Sequence, residues 1–414
     1  PQGEVRVEGD TAAALKAAAK QVKATYAYPF IAHATLEPMN CTVRVENDRA
    51  TVWASTQVPG LARRAAARAL DMDTDQVEVH VAFLGGGFGR RLDVDFVGQA
   101  AAIAAHVRGT AVQTVWSREQ DMTHDFYRPA CVSVFRAGLD AQGSLLAWHN
   151  TSASQAVIPQ LLGRHFGLPI AGPDKTTAEG AFDQPYEWPA ARIAHQKVDA
   201  PIPIGPWRSV GHSHQAFFKE SFLDEVAHAA GQDPVAFRAG LLTRHPRHLA
   251  VLRLAAERSG WGQPPPSAPD GAPIARGIAL HHSFGAIVAQ VAEVSLDPQK
   301  RIRVHKVTCV IDCGFVVNPN GVRQQVEGGI VFSLSAALYG GVTSVDGQVR
   351  QSNFHDQPVL RIDECPQIDT YLIASDQAPE GVGEPGTAPI APAVGNALFA
   401  LTGQRLRALP FKLA

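Results

Sequence analysis

The stretch Gln76-Val77-Glu78-Val79-His80-Val81-Ala82-Phe83-Leu84-Gly85-Gly86-Gly87-Phe88-Gly89-Arg90-Arg91 decides how the chain is read. Its first part alternates, with Val77, Val79, Val81 and Phe83 on one face, and predicts a strand over residues 76–84. Four glycines around one phenylalanine follow, and helical spacing resumes over residues 94–106. Strand, glycine loop and helix in that order bring backbone close to a phosphorylated or bulky ligand. A dinucleotide fold requires Gly-x-Gly-x-x-Gly, and counted from Gly85 the sixth position is Arg90. No Gly-Lys-Ser/Thr occurs there, so the loop is not a P-loop. It reads as the cradle of another kind of cofactor, or as a glycine-rich bulge that serves packing.

A second stretch, Gly381-Val382-Gly383-Glu384-Pro385-Gly386-Thr387-Ala388-Pro389, sets one carboxylate among glycines and prolines. Glycines permit close approach and prolines stiffen the turn, which suits a carboxylate held beside a reaction centre. An ordinary surface turn is the alternative. Arg208, in Gly205-Pro206-Trp207-Arg208-Ser209-Val210-Gly211, offers a guanidinium that can orient a carbonyl or heterocycle, or pair with an acidic neighbour.

Composition limits the classes. The chain has 414 residues, 45% hydrophobic and 18% charged, with 37 basic and 39 acidic side chains. That length predicts two or three subdomains, divided as 1–150, 151–270 and 271–414. The near-cancelling charge gives no support for nucleic-acid binding. No apolar run of about 18 residues predicts a transmembrane helix. Pro1 follows no signal pattern and reads as a processed, trimmed or split end. Five scattered cysteines make no disulfide framework, and Cys309 and Cys313 read as buried thiols on one strand face. His33 and Glu37 read as structural hydrogen-bonding groups rather than metal ligands. His212 and His214 read as capping or solvent-facing residues.

Further elements follow from pattern. Residues 11–24 predict an alanine-rich helix capped by Asp10 or Thr11. Strands are expected over 42–46, 50–54, 131–139, 144–151, 278–282, 287–295 and 302–311, and helices over 61–70, 217–230, 249–257 and 392–404. A further helix starts at Asp233-Pro234, and another near Asn320 carries Gln324, Gln325 and Glu327. Residues 157–206 lack periodicity and read as long loops or a lid.

Residues 85–91, 207–215, 312–329 and 383–407, supported by 28–40 and 54–57, together resemble the molybdopterin-binding large subunit of the xanthine oxidase family. Within it they are most similar to the isoquinoline 1-oxidoreductase β-subunit and aldehyde dehydrogenase group. The resemblance covers almost the whole chain in one consistent order. It implies an α+β fold of mixed sheets with flanking helices and the cofactor between subdomains. It implies Glu384 as the base beside molybdenum, Gln57 as a donor to an oxo ligand, and Arg208 as the substrate-orienting arginine. Gly86, Gly87, Phe88, Gly89, Arg90, Gln325 and Gly383 become cofactor-binding positions. The metal is then held by the pterin dithiolene, commonly in the cytosine dinucleotide form, and not by protein side chains. The implied reaction is hydroxylation of an aldehyde or N-heteroaromatic with water as oxygen source.

Two departures qualify it. The family's Gly-Gln-Gly phosphate-binding segment is absent, so a partner chain is expected to supply it. Purine-oxidising members carry Glu where this chain has Leu92, which argues against xanthine. The chain has no iron–sulfur, flavin or haem motif. The family implies a small subunit with [2Fe–2S] clusters, a cytochrome c as further acceptor, and a periplasmic location. Two other classes compete: a cofactor-free scaffold of the same fold, and a nicotinamide-dependent dehydrogenase, which the failed glycine fingerprint disfavours.

Overall fold

The computed structural model describes residues 2–167 and 174–413. Three mixed sheets carry the chain, each with helices against it, and the fold is α+β. A four-stranded sheet has the order Val77–Val81, Arg49–Ala54, Asn40–Glu46, Ala111–Val115. Alternation puts Cys41, Val43 and Val45 on one face of it, with Val52 and Ala54 beside them, all buried. Helices Pro59–Leu70 and Asp95–Ala104 cover that face through Ala62, Ala66, Phe96, Val97 and Ala100. The glycine loop leaves from an edge strand of this sheet.

A five-stranded sheet runs Gln2–Glu8, Ala191–Lys197, Leu145–Ser154, Cys131–Leu139, Lys20–Tyr28. A four-stranded sheet runs Ala275–Ser283, Ala286–Leu296, Ile302–Asp312, Gln367–Leu372, with only the last pair parallel. Helix His212–Ala229 lies in the large core that both sheets share, with every residue from His212 to Ala227 buried. A helix with apolar surroundings on all sides is a central one. Its charges are paired internally, as in Glu220 with Arg238 at 2.9 Å and Glu225 with Arg407 at 2.7 Å. Helix Ile390–Thr402 packs flat on the Ala275–Ser283 strand. A Cβ at Gly277 would stand 2.2 Å from Ala393 O, so only glycine permits that approach.

Several expectations are corrected. The alanine-rich helix stops at Ala17, and Lys20–Tyr28 is a strand paired with Cys131–Leu139. Burial of Ala24, Tyr26 and Tyr28 at every second position outweighs the helix propensity of the run. The first strand of the glycine motif ends at Val81, and Phe83 is fully exposed. Residues 157–206 are not structureless. They contain helices Val157–Phe166 and Lys175–Ala178 and strand Ala191–Lys197, while residues 168–173 of that predicted lid lie outside the described residues. The central helix begins at His212, five residues before its first phenylalanine. His212 and His214 are accordingly buried, not solvent-facing. The remaining predicted strands and helices form within a few residues of their expected limits. Cys309 and Cys313 are buried free thiols, and burial pushes the Cys309 thiol up to about 12. Among the described residues no helix is long and apolar enough to cross a membrane.

Candidate active site

Three loops from distant parts of the chain meet at a cleft of about 540 Å³. The first is the glycine loop. Gly86 and Gly89 adopt φ of 108° and 104°, and Phe88 sits between them at 56°. A Cβ at Gly89 would lie 1.9 Å from Pro206 O, so this glycine is required by both its conformation and the approach of the second loop. Buried Arg91 holds the loop from behind. Its guanidinium donates to Gly86 O at 2.8 Å, to Ser55 O at 3.0 Å and to Glu37 Oε2 at 2.9 Å. Glu37 in turn accepts from Gly85 N–H at 2.8 Å. Burial pushes the Glu37 carboxyl up, but Asn40, Gly85 and Arg91 outweigh it and hold the group below its ordinary value.

Gln57 precedes helix Pro59–Leu70 and faces the same loop. Its Oε1 accepts from Gly89 N–H at 3.1 Å, which fixes the amide orientation and leaves Nε2 without a hydrogen-bond partner among the described residues. The second loop carries Arg208, whose N–H donates to Phe88 O at 2.9 Å. Ser209 and Val210 take φ of 79° and 43°. Left-handed backbone at a β-branched valine is costly, on the order of 1–3 kcal/mol, and such strain concentrates where function demands a fixed geometry.

The third loop carries Glu384. Its Oε1 accepts from Ser209 N–H at 2.9 Å, while Glu384 O accepts from Ser209 Oγ at 2.8 Å and Thr387 Oγ1 at 2.7 Å. Gln290, on a central strand and buried, donates to Gly386 O at 2.8 Å. Arg208 Nε donates to Gly383 O at 2.6 Å and Nη2 to Gln325 Oε1 at 3.1 Å. Burial draws the Arg208 guanidinium down from its ordinary value, and the Glu384 carboxylate opposes that shift. Asn318 caps helix Pro319–Tyr339 by accepting from Gly321 N–H at 3.1 Å, and the helix's first turns bring Gln324, Gln325 and Gly328 to the cleft wall.

The cleft thus gathers Gln57, Phe88, Gly89, Arg208, Gln325, Gly383 and Glu384 of the predicted set. Gly87 stands behind Gln57, where a Cβ would meet Oε1 at 2.8 Å. Gly86 opens on a neighbouring apolar cavity of about 440 Å³. The two cavities share Phe88, Trp207, Arg208 and Gly328. Phe332, which sequence reasoning passed over, stacks on Phe88 at 4.3 Å and on Trp207 at 4.6 Å.

Arg90 does not join the cleft. Its buried guanidinium makes two 2.9 Å bonds to Asp95 and reaches Asp125 at 3.2 Å, so its expected contact with a cofactor is corrected to a structural one. His33 is structural as expected, with Nδ1 2.9 Å from Asp125 Oδ1 and Nε2 2.8 Å from Pro206 O. Arg91, Ser209 and Gln290 were also missed. Arg91 had only its place in the motif as a signal, and Ser209 and Gln290 had none, because one acts through its own backbone N–H and the other on a backbone carbonyl, each across a long stretch of chain.

Among the described residues no three His, Cys, Asp or Glu side chains stand together to hold a metal. The donor set fits a heterocyclic ligand: backbone of the glycine loop, the Nε2 groups of Gln57 and Gln325, whose oxygens are already held by Gly89 and Arg208, and the aromatic lining Phe88 and Trp207.

The molybdopterin cofactor-binding domain family matches residues 2–240 and, in a second part, 255–366, and the chain belongs to that family, in its xanthine oxidase type. It is similar to the isoquinoline 1-oxidoreductase subunit beta of Brevundimonas diminuta, at 35% identity over 395 residues, covering 92% of this chain and 48% of that protein. It is also similar to the membrane-bound aldehyde dehydrogenase [pyrroloquinoline-quinone] of Gluconacetobacter polyoxogenes, at 29% identity over 94% of this chain and 53% of that protein. The chain therefore spans about half the length of these relatives. The crystal structure of quinoline 2-oxidoreductase from Pseudomonas putida 86 shares the fold, with a TM-score of 0.83 at 14% identity over 99% of this chain and 77% of that one.

Proposed function

We propose that this chain forms the catalytic side of a molybdenum hydroxylase that oxidises an aldehyde or N-heteroaromatic with water as oxygen source. The observation that carries the reading is the convergence of Glu384, Gln57, Arg208, Gln325 and the Phe88–Gly89 backbone on one cleft. A molybdopterin–molybdenum centre, in the cytosine dinucleotide form, supplies the two-electron oxidation and the activation of water when bound. Gln57 Nε2, the Gly86–Gly89 loop, Gln325 and Gly383 are assigned to hold it.

Glu384 acts as the base. With Oε1 anchored by Ser209 N–H, the carboxylate is aimed and its other oxygen is left to take a proton. Arg208 steadies the loop that bears this base, and its Nη1, which has no hydrogen-bond partner among the described residues, is left to orient the substrate. Trp207, Phe88 and Phe332 shape an apolar wall that excludes water. The three parts 1–150, 151–270 and 271–414 each contribute to the site, through Gln57 and Phe88, through Arg208, and through Gln325 and Glu384.

Electrons leave to a [2Fe–2S] small subunit and onward to a cytochrome c, and another chain or segment contributes the Gly-Gln-Gly element. A bacterial periplasmic placement goes with this reading. Elemental analysis of the natively purified complex tests it. About one molybdenum per complex is expected, together with turnover that Glu384→Gln removes. Absence of molybdenum in protein from a host that makes the cofactor, with its partners present, would favour a scaffold without catalysis.

A further inference from the structure

Helix Val157–Phe166 lies in the span that shows no periodicity in sequence, and the reaction above gives it no part. Pro159 sits in its first turn, where a missing N–H costs nothing, and Gly167 closes it at φ 66°. Of its ten residues only Val157 is buried, so polar bonds hold the helix more than apolar packing does. Those bonds go to the two loops that carry Phe88 and Arg208. Arg164 Nε and Nη2 donate to the two carboxylate oxygens of Asp93 at 2.7 and 2.9 Å, and Asp93 is 2% exposed. The guanidinium stands over the Phe126 ring at 4.0 Å, which fixes its plane. A two-pronged pair of this kind sets orientation as well as distance. His165 Nε2 lies 3.0 Å from Leu92 O, and because a carbonyl only accepts, Nε2 carries the hydrogen.

The same helix reaches the second loop at two further points. Gln160, one turn before Arg164 and on the same face, accepts from Ile204 N–H through Oε1 at 3.1 Å. Ile158 N–H donates to Asp174 Oδ2 at 3.1 Å, which also accepts from Thr177 Oγ1 at 2.8 Å. In that turn Thr176 O stands 2.3 Å from where a Cβ at Gly211 would lie, so the turn is seated on the backbone that follows Val210. The two loops also meet each other at the helix. A Cβ at Gly205 would lie 3.4 Å from Asp93 Oδ2. On the cleft side, Leu92 N–H donates to Gly89 O at 3.0 Å and Arg91 O accepts from Gln57 N–H at 3.1 Å. Leu92, Pro206 and Val210 line the cleft, and their apolar side chains make no hydrogen bonds of their own. Arg164 and His165 do not line it.

We propose that helix Val157–Phe166 braces the apolar wall of the cleft, with Arg164 as a positioning residue that acts through Asp93 on Leu92 and Pro206 and so sets which ring the site accepts. The inference rests on the hydroxylase reading of the cleft. A small aldehyde needs the base Glu384 and a foothold at Arg208. A two-ring N-heteroaromatic must also lie flat against Leu92 and Pro206, so its fit depends on where the brace holds them. Loss of the Arg164–Asp93 pair frees the wall and leaves the Glu384 loop alone, because that loop is anchored by Ser209, Arg208 and Gln290.

Hydrogen–deuterium exchange of the full chain, read by mass spectrometry, tests the brace without turnover. The variants are Arg164→Met and the pair Arg164→Met with Asp93→Asn, which spares the fold a buried carboxylate without a partner should the single change unfold the chain. Expected is faster exchange in peptides covering residues 89–93 and 203–206, with residues 384–390 and the urea midpoint of the double variant unchanged. A rise confined to the helix itself, or one shared equally by residues 384–390, overturns the proposal. In the molybdenum-loaded complex, kcat/KM for quinoline is expected to fall by about tenfold or more and that for acetaldehyde by less than about threefold. Arg164→Lys, which keeps the charge opposite Asp93, is expected to recover most of the quinoline loss. Equal losses for the two compounds, or no recovery with lysine, overturn it as well. An unaltered complex that holds molybdenum and turns over neither compound overturns the hydroxylase reading instead, and the brace is then decided by the exchange alone.

Discussion

Replacing Glu384 by glutamine isolates its basicity from its place in the structure. The glutamine Oε1 accepts the same Ser209 N–H, and the backbone bonds from Ser209 Oγ and Thr387 Oγ1 to residue 384 do not involve its side chain. The loop keeps its anchors through Gly383 O and Gly386 O. Folding stability and molybdenum content should therefore be unchanged, with thermal midpoints within about 2 °C, the scale of less than 1 kcal/mol in a protein of this size. What is lost is a positioned general base, which contributes roughly 10²–10⁴-fold, equivalent to about 2.7–5.4 kcal/mol in the barrier. Steady-state turnover of an aldehyde and of an N-heteroaromatic, each with an artificial electron acceptor, should show kcat reduced by that factor and KM nearly constant. A variant that folds, keeps its metal and retains more than a tenth of kcat would refute Glu384 as the base. A variant that loses its metal would show instead that the charge helps retain the cofactor, and the reasoning from anchors would fail.

Arg208→Lys keeps the charge but not the fork that spans Gly383 O and Gln325 Oε1, so kcat should fall by about tenfold or more from loop misplacement alone. Comparison of kcat with the urea midpoint checks this, the midpoint moving much less than the rate. Gln290→Leu leaves Gly386 O buried and unpaired and should destabilise by about 1–3 kcal/mol in urea unfolding. Asp125 provides a pH signature. Burial pushes its carboxyl up, but His33 and Arg90 outweigh burial and hold it below the ordinary range. A carboxyl depressed by folding adds stability above its unfolded value of about 3.9, and that contribution is lost as pH falls through the folded value. Asp125→Asn should accordingly be less stable at pH 7 and show a flatter decline below pH 4, as followed by unfolding at a series of pH values.

Much of this architecture was legible because local and tertiary preferences agree. The strands over 40–54 and 275–312 alternate or run apolar as their burial demands, and Asp233-Pro234 announces a helix by a cap that the structure uses. The reading failed where tertiary pairing overrode composition. Lys20–Ala24 looks helical in isolation and becomes part of a strand because its neighbour Cys131–Leu139 offers a partner over a buried face. The first turn of helix His212–Ala229 is polar and gave no apolar stripe, so its start was placed too late. At the site, Glu384 and Phe88 stood out by their loop chemistry, and Gln57 only through the family resemblance. Arg90 and Arg91, adjacent and identical, could not be told apart: a turn of helix sends one guanidinium towards Asp95 and Asp125 and the other back to Gly86 O. Ser209 was invisible because its contribution is a backbone N–H.

The Ser209–Glu384 bond joins positions 175 residues apart. Gly89 lies against Pro206 across 117 positions of the chain. The cleft therefore exists only once loops far apart in sequence have docked on one another, and a chain folded as far as the glycine loop alone holds a single wall of it. Its shape is a property of the tertiary assembly and of no one segment, so a fault in any of the three docking contacts would open the site as a whole.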